Sequence, residues 1–568
     1  MRTEARFLLA LALVFGVIWG TNTLFPPVLP EAPVVASEGA GAPGVIAPAP
    51  SESEIQGSAG AGIPAQEMGA AGESVEPVEV VVETPLARWV FNARGAQLSS
   101  VELKEYRSLR PAGGLVQLVG GGGEVLEKRL VIGGDTVELG GLEFTVLPSN
   151  GLQLAEGEGP AEVRFEWRNA EATAEVSFAY RFDPERYVVE VESRVAGLGN
   201  PVLVERIARG IPFTEADSAQ EIAAMSWVGN HLNRGIDAHA LADVEGAELN
   251  PGPFTWVGVK NKYFLVAMIP GLDQQPEGSS RYLGAVLEEE GLMGSGPSIS
   301  ATYAYDSDET TRYRLFFGPQ EYSRLQSIGD DLEEVNPYGW KFLRPVIRPF
   351  VVLTLWVLNL LHDQLSVGYG WVLVIFGVLM RVVLWPLNQK AMRSQMRNMA
   401  VQPMLKEVQN KYRDNPERLQ KEMLRLHKEY GFNPLGGCLP LLVPWPVLIA
   451  LFFVFQNTIE LRGVAFLWLP DLSAKDPLYL LPLFMAVSMF FLQWISFRSM
   501  PDQGNNPQMK AMMYFMPIFF GFIFMQFPSG LNLYYAVTNI ATIPQQILIA
   551  RERKLVAGKP PVRVAKGS

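Results

Sequence analysis

The apolar residues of this chain change rhythm along its length. From about Pro85 to Gln326 they alternate with polar ones, as in Ala161–Trp167, Ala174–Tyr180 and Tyr187–Val195. In the last of these, Tyr187, Val189, Val191 and Ser193 share one face, and Val188, Glu190, Glu192 and Arg194 the other. Side chains of a strand point alternately to opposite faces, so this period predicts many half-buried strands, punctuated by Gly, Asn, Asp and Pro: an all-β sandwich. Beyond Gly339 the alternation stops and apolar blocks take over, at about Gly370–Leu387, Leu439–Ile459, Pro477–Ile495, Met512–Phe527 and Leu531–Ile549. Each approaches the roughly 20 residues a helix needs to cross a bilayer core. A further block runs from Phe7 to Trp19 and weakly on to Phe25, behind Arg2 and Arg6. It is an anchor or a cleavable signal; Val34-Val35-Ala36, the available cleavage site, lies far beyond the apolar block, which favours the anchor. Between Trp340 and His362 an apolar stretch holds Lys341, Arg344 and Arg348 and is interrupted by Pro345 and Pro349. It reads as an amphipathic helix in the outer interface; the rival reading, one more span, would invert everything downstream.

Charge orients these elements. The chain has 568 residues, 48% hydrophobic, with mean hydropathy +0.12 and formal net charge −12. From Pro26 to Ala87 there are acidic residues but no Lys or Arg, whereas Lys390–Lys428 and the tail after Ala550 are basic. Lysine and arginine accumulate in cytoplasmic loops, so the loop after the first core span and the C-terminus lie inside. The expected order is an anchor at 1–25, an Ala/Gly/Pro/Glu linker at 26–84 and an exported β domain at 85–326. An interfacial region at 327–367, a span at 368–388 and a cytoplasmic hairpin at 389–434 follow. Four more spans at 435–550 and a basic tail at 551–568 complete it, giving six spans, five of them a core, with both ends cytoplasmic. Cys438 is the only cysteine, which excludes an internal disulfide and a CxxC site. There is no GxxxxGK[ST], HExxH or GxSxG, and Gly120–Gly123 is a turn, so neither nucleotide hydrolysis nor a bound cofactor or metal is expected. His231 and His239 fall in loops of the β domain and read as surface histidines.

The residue that most constrains function is Arg381, inside the first core span. A guanidinium stays charged and costs at least about 2.5–3.5 kcal/mol at mid-bilayer, so it must meet a partner or water. No acidic residue lies in any of the five core spans. Either the bundle holds a wet, positively charged cavity, or the side chain snorkels roughly 10 Å to the surface near Asn388. The cytoplasmic loop carries two apolar stripes, Leu405-Val408-Tyr412 and Leu419-Met423-Leu426, joined by a turn in which Asn415 caps and Pro416 opens the second helix. It is a helical hairpin or a solvated spacer. Methionines and aromatics crowd the last spans, as lipid-facing filler or as a surface that re-packs around partners.

Arg381 followed by Trp385-Pro386-Leu387, then Asn433 to Leu442, Asp471 to Pro477, Phe527 to Leu531 and Tyr534-Tyr535, closely resembles the YidC family of membrane insertases. The blocks cover nearly all of Tyr338–Arg551 in the family's order, and the β region resembles, more loosely, the periplasmic domain of Gram-negative members. The resemblance implies a periplasmic β supersandwich, dispensable for insertion, beside a polytopic helical core in the inner membrane. It implies a hydrophilic groove, open to cytoplasm and lipid and closed outward, that holds Arg381 and is lined by Tyr534 and Tyr535. This chain departs from the family's polar groove positions at Gly377 and Pro444, so its groove is either less polar or leans on Asn457, Gln493, Thr538, Asn539 and Thr542. The implied partners are nascent membrane proteins, the Sec translocon, the ribosome and membrane lipids, with no nucleic-acid sequence. The alternatives are a small-anion transporter, which needs paired half-repeats that are not seen here, and a tethered β-sandwich carbohydrate enzyme, which needs paired carboxylates.

Overall fold

A computed structural model describes residues 78–556, except for stretches that include 272–283, 289–297, 390–403, 426–444 and 499–506 and scattered single positions. The anchor and nearly all of the linker lie outside the described residues. The described residues form a β unit that ends before Tyr338 and a helical unit that starts there.

The β unit is three sheets, of nine, five and six strands, antiparallel except where Glu79–Glu83 runs parallel to Leu152–Gln153. Its centre is the strand Glu175–Phe182, where Phe178, Tyr180 and Phe182 stand on one face and are fully buried. Phe91 of the five-stranded sheet packs on that face, 4.9 Å from the Tyr180 ring and 6.1 Å from Phe182. Lys128 of the six-stranded sheet reaches it too, 4.8 Å from the Phe178 centroid. The alternation read at Tyr187–Val195 is present: Val189, Val191, Ser193 and Val195 are buried on the strand Val188–Ala196.

Two expectations need correction here. The strand Glu79–Glu83 lies in the stretch read as linker; its glutamates obscured the alternation that buries Val80 and Val82. His231 and His239 are not in loops: they sit in the paired strands Ser226–His231 and Gly235–Ala240. His231 is buried, and its Nδ1 accepts from the Asn233 amide at 3.1 Å. Two short helices belong to this unit, α1 (Ser218–Ala224) and α2 (Tyr322–Ile328). Glu221 of α1 accepts from the backbone amides of Thr214 and Glu215 and from Asn261 Nδ2, tying three segments together.

The helical unit contains α3 (Arg344–Leu365), α4 (Tyr369–Val383), α5 (Trp445–Asn457), α6 (Leu480–Arg498), α7 (Pro507–Phe524) and α8 (Ser529–Val556). Helix α3 is continuous despite its prolines. Pro345 occupies the first turn, where its amide would be unpaired anyway, and Pro349 removes one backbone bond close to the same end. Its buried stripe, Ile347, Val351, Leu355 and Leu358, follows the helical repeat, while Leu353 and Trp356 face outward. Among the described residues, α3 and α6 alone are both long and apolar enough to cross a membrane by themselves.

Helix directions follow from contacts. A Cβ on Gly530 would lie 3.3 Å from Leu373, and one on Gly377 would lie 3.1 Å from Val537. The Phe376 and Tyr534 rings are 5.7 Å apart. Residue numbers rise together in these pairs, so α4 and α8 are parallel. Their starting ends meet the loop 458–479: Phe466 fills the space above Gly370, and the Gly530 amide donates to Leu472 O at 2.7 Å. Helix α5 runs into this loop and α6 out of it, and α7 lies antiparallel to α6, with Tyr514 beside Phe490 and Gly521 beside Ala486. Thus α4, α6 and α8 point one way and α5 and α7 the other.

Candidate functional site

The site is built on the facing sides of α4 and α8. Arg381, half-buried in the last turn of α4, donates from Nη2 to Gln545 Oε1 at 2.5 Å. Gln545 Nε2 donates to the Trp385 carbonyl at 3.1 Å, and Gln545 is only 1% exposed. The Arg381 Nε–H is buried with no partner among the described residues. Nothing acidic occurs in α4, α5, α6 or α7, and the one carboxylate of α8, Glu552, is seven residues past Gln545. The charge is therefore held by a neutral amide.

Tyr534, Thr538, Thr542 and Gln545 are spaced four, four and three residues apart, so they share one face of α8. Tyr534 is buried between Phe376 and Phe455, and Thr538 approaches Gly377. Gly377 thus serves close packing: without a Cβ, α4 can lie against Val537 and Thr538. Thr542 turns its hydroxyl back to Thr538 O at 2.6 Å. Tyr535 faces elsewhere, edge-on to Phe524 at 5.0 Å. Asn539 joins α6 instead, donating to Ser488 Oγ at 3.1 Å. Gln493 is half-buried on α6, five residues beyond Ser488. Asn457 ends α5 at the loop 458–479, which covers Gly370, and Arg381 lies eleven residues past Gly370, roughly 16 Å, along α4. The structure therefore brings Tyr534, Thr538, Thr542 and Arg381 to one helix–helix seam and leaves Asn457, Gln493, Asn539 and Tyr535 off it. Sequence reasoning missed Gln545 and Ser488. The helical spacing from Tyr534 was the available signal for Gln545.

The loop 458–479 is a built plug. Asp471 Oδ1 accepts from the Gly463 and Ser473 amides at 3.0 and 2.8 Å. Buried Asp476 caps α6, accepting from the Leu481 amide at 2.7 Å and from Trp468 Nε1 at 3.3 Å. Ser529 donates twice to Ala474 O, from its amide at 2.7 Å and its hydroxyl at 2.8 Å. The motifs Asp471–Pro477 and Phe527–Leu531 are thus two halves of one contact. In the loop between α4 and α5, Asn415 Oδ1 accepts from the Arg418 amide at 3.1 Å, the cap expected there. Val408, Tyr412 and Leu419 are half-buried; Leu405, Met423, Leu426, Cys438 and Pro444 lie outside the described residues.

On its outer faces the helical unit exposes Trp371, Val382, Phe484, Phe491, Ile518 and Phe522, among others. So much exposed apolar surface around a half-buried arginine suits lipid rather than water. This is an integral membrane protein with a helical core and a separate β-rich domain. Residues 360–556 match the family model described as 60Kd inner membrane protein, and residues 79–352 the one described as YidC periplasmic domain. The membrane protein insertase YidC of Chlorobaculum parvum is 31% identical over 497 residues, covering 83% of this chain and 82% of that protein. Its counterpart in Maridesulfovibrio salexigens is 29% identical over 567 residues, covering 97% and 99%. A crystal structure of an active YidC insertase with the first transmembrane domain resolved is 18% identical, with a TM-score of 0.32, covering 83% of this chain and 93% of that one. The chain belongs to the YidC family of membrane protein insertases.

Proposed function

We propose that Arg381 is the positive end of the route by which hydrophobic segments of nascent membrane proteins enter the bilayer. One observation carries this reading: a guanidinium is held at the α4–α8 seam by a neutral amide, with no carboxylate on α4 through α7. A polar, acidic end of a substrate is attracted to it while the apolar helix slides past α5 and α7 into lipid. The energy comes from the substrate's own transfer out of water, about 25 cal/mol per Å² of apolar surface, without nucleotide hydrolysis. Tyr534, Thr538 and Thr542 line the route near Arg381; Asn457, Gln493, Asn539 and Tyr535 serve it at other levels. The hairpin that includes Val408, Tyr412 and Leu419 is the docking element for substrates, and the Sec translocon and ribosome are the partners this arrangement would serve.

The alternating directions of α4 to α8 support five core spans; with α3 kept in the interface by Arg344 and Arg348 of its first turns, these and the N-terminal segment make six, both termini cytoplasmic and the β unit periplasmic. Reporter fusions after Ser100 should be exported, and those after Lys411 and Lys559 cytoplasmic. The decisive experiment is insertion of a single-span substrate with acidic, neutral or basic ends into liposomes carrying the wild type, Arg381→Lys, Arg381→Ala or Arg381→Glu. Lysine should retain much activity, alanine should fail most with acidic ends, and glutamate should be worse for those and milder for basic ends. If insertion ignores both charges, the charged-route reading is wrong.

A further inference from the structure

We propose that Gln545 is a positioning residue that fixes the Arg381 guanidinium while leaving its positive charge uncancelled. This rests on the charged-route reading of Arg381. The amide is used at both ends: its oxygen accepts from Arg381 Nη2 and its nitrogen donates to the Trp385 carbonyl. That settles its orientation, since the flipped amide would set donor against donor and carbonyl against carbonyl. Gln545 is buried, so neither bond is exchanged freely with bulk water. Trp385 lies four residues past Arg381, and a single side chain of α8 therefore holds both the arginine and the backbone one turn beyond it.

The residue type matters more than the bond. Glutamate has the same length and would make a stronger, charge-assisted contact with arginine. It would also form a closed ion pair and spend the attraction on itself. Glutamine supplies geometry without neutralising the guanidinium. The Arg381 side chain is only half-buried, unlike Gln545, so part of the guanidinium's surface stays open to a carboxylate arriving from a substrate. A residue serving only to join two helices would exchange one contact for another on becoming glutamate, leaving substrate selection unchanged; a residue keeping a cation available would lose its purpose.

Gln545→Glu separates the two roles. Purified full-length variants are reconstituted in liposomes and assayed with one single-span substrate carrying an acidic or a neutral end, with thermal unfolding measured in parallel. Gln545→Glu exchanges the donation to Trp385 for a charge-assisted contact with Arg381, so it should stay folded with an unfolding midpoint near the wild type's, yet lower the ratio of acidic-end to neutral-end insertion about tenfold, the scale of a close charge–charge contact in a wet site. In an Arg381→Gln background, Gln545→Arg returns the cation from the opposite helix and should restore most of that ratio. An unchanged ratio in Gln545→Glu, while Arg381→Ala loses it, would overturn the role of Gln545 and leave the charged route standing. An unchanged ratio in Arg381→Ala itself would overturn both.

Discussion

Each unit of this protein buries a cation, and the two are treated in opposite ways. In the β unit Lys128 is fully enclosed: it donates to the carbonyls of Ala96 and Leu126 at 2.9 and 2.7 Å, sits 3.5 Å from Glu205, and lies over the Phe178 ring. Burial pushes the ammonium below and the Glu205 carboxyl above their ordinary values, and each charge opposes the other's shift. In the helical unit Arg381 has one neutral partner and an idle N–H among the described residues. A cation compensated on every side holds a fold together. A cation left uncompensated among apolar helices is costly to keep and contributes little to stability; in the function proposed above, its reason lies in what comes to it.

Stability measurements can break this contrast. Lys128→Met leaves the Glu205 carboxylate buried alone and should cost about 3–5 kcal/mol, read as lost hydrogen-exchange protection across the nine-stranded sheet; Lys128→Met with Glu205→Leu should regain most of it. Next in size is the plug. A Cβ on Gly370 would stand 2.1 Å from the Phe466 ring, so Gly370→Ala should destabilise the helical unit by about 1–3 kcal/mol, visible as a lower unfolding midpoint in detergent. Arg381→Leu should cost less than about 1.5 kcal/mol by the same assay, because no ion pair is lost and only Gln545 is left to re-pair. A loss as large as that of Lys128→Met would show that Arg381 is structural too. The smallest effect concerns Lys260, whose Nζ donates to Asn336 and whose pKa burial pushes down to about 8. Between about pH 8 and its ordinary 10.5 the unfolded chain holds a proton that the folded one has released, so β-unit stability should rise across that window. Lys260→Met should flatten the rise in a pH series of melting curves.

Much of this was legible in the sequence where the physics is local. The alternation at Tyr187–Val195 and the cap at Asn415 depend on neighbours a few residues away, and both are present. Arg381 stood out because a charge in an apolar run needs an explanation. Its partner did not, because a buried cation calls for an acid and the partner is an amide 164 residues on. The plug was visible only as two separate motifs; the Ser529–Ala474 contact spans 55 residues of sequence, and nothing local announces it. The strand Glu79–Glu83 was hidden by composition, since three valines between glutamates resemble the acidic linker before them.

The plug also bears on the energetics of the membrane as a whole. Phe466 on Gly370, and Leu472 on Gly530, close the α4–α8 seam with backbone and ring in direct contact, roughly 16 Å along α4 from Arg381. If Arg381 is reached from the other end of α4, as proposed above, this contact lies beyond it, so the seam would give a protein segment a polar foothold without giving ions a path. The cell could then carry many copies of this protein in a membrane whose proton gradient it must keep, and a substrate helix could leave sideways into lipid without any gate opening to the far side.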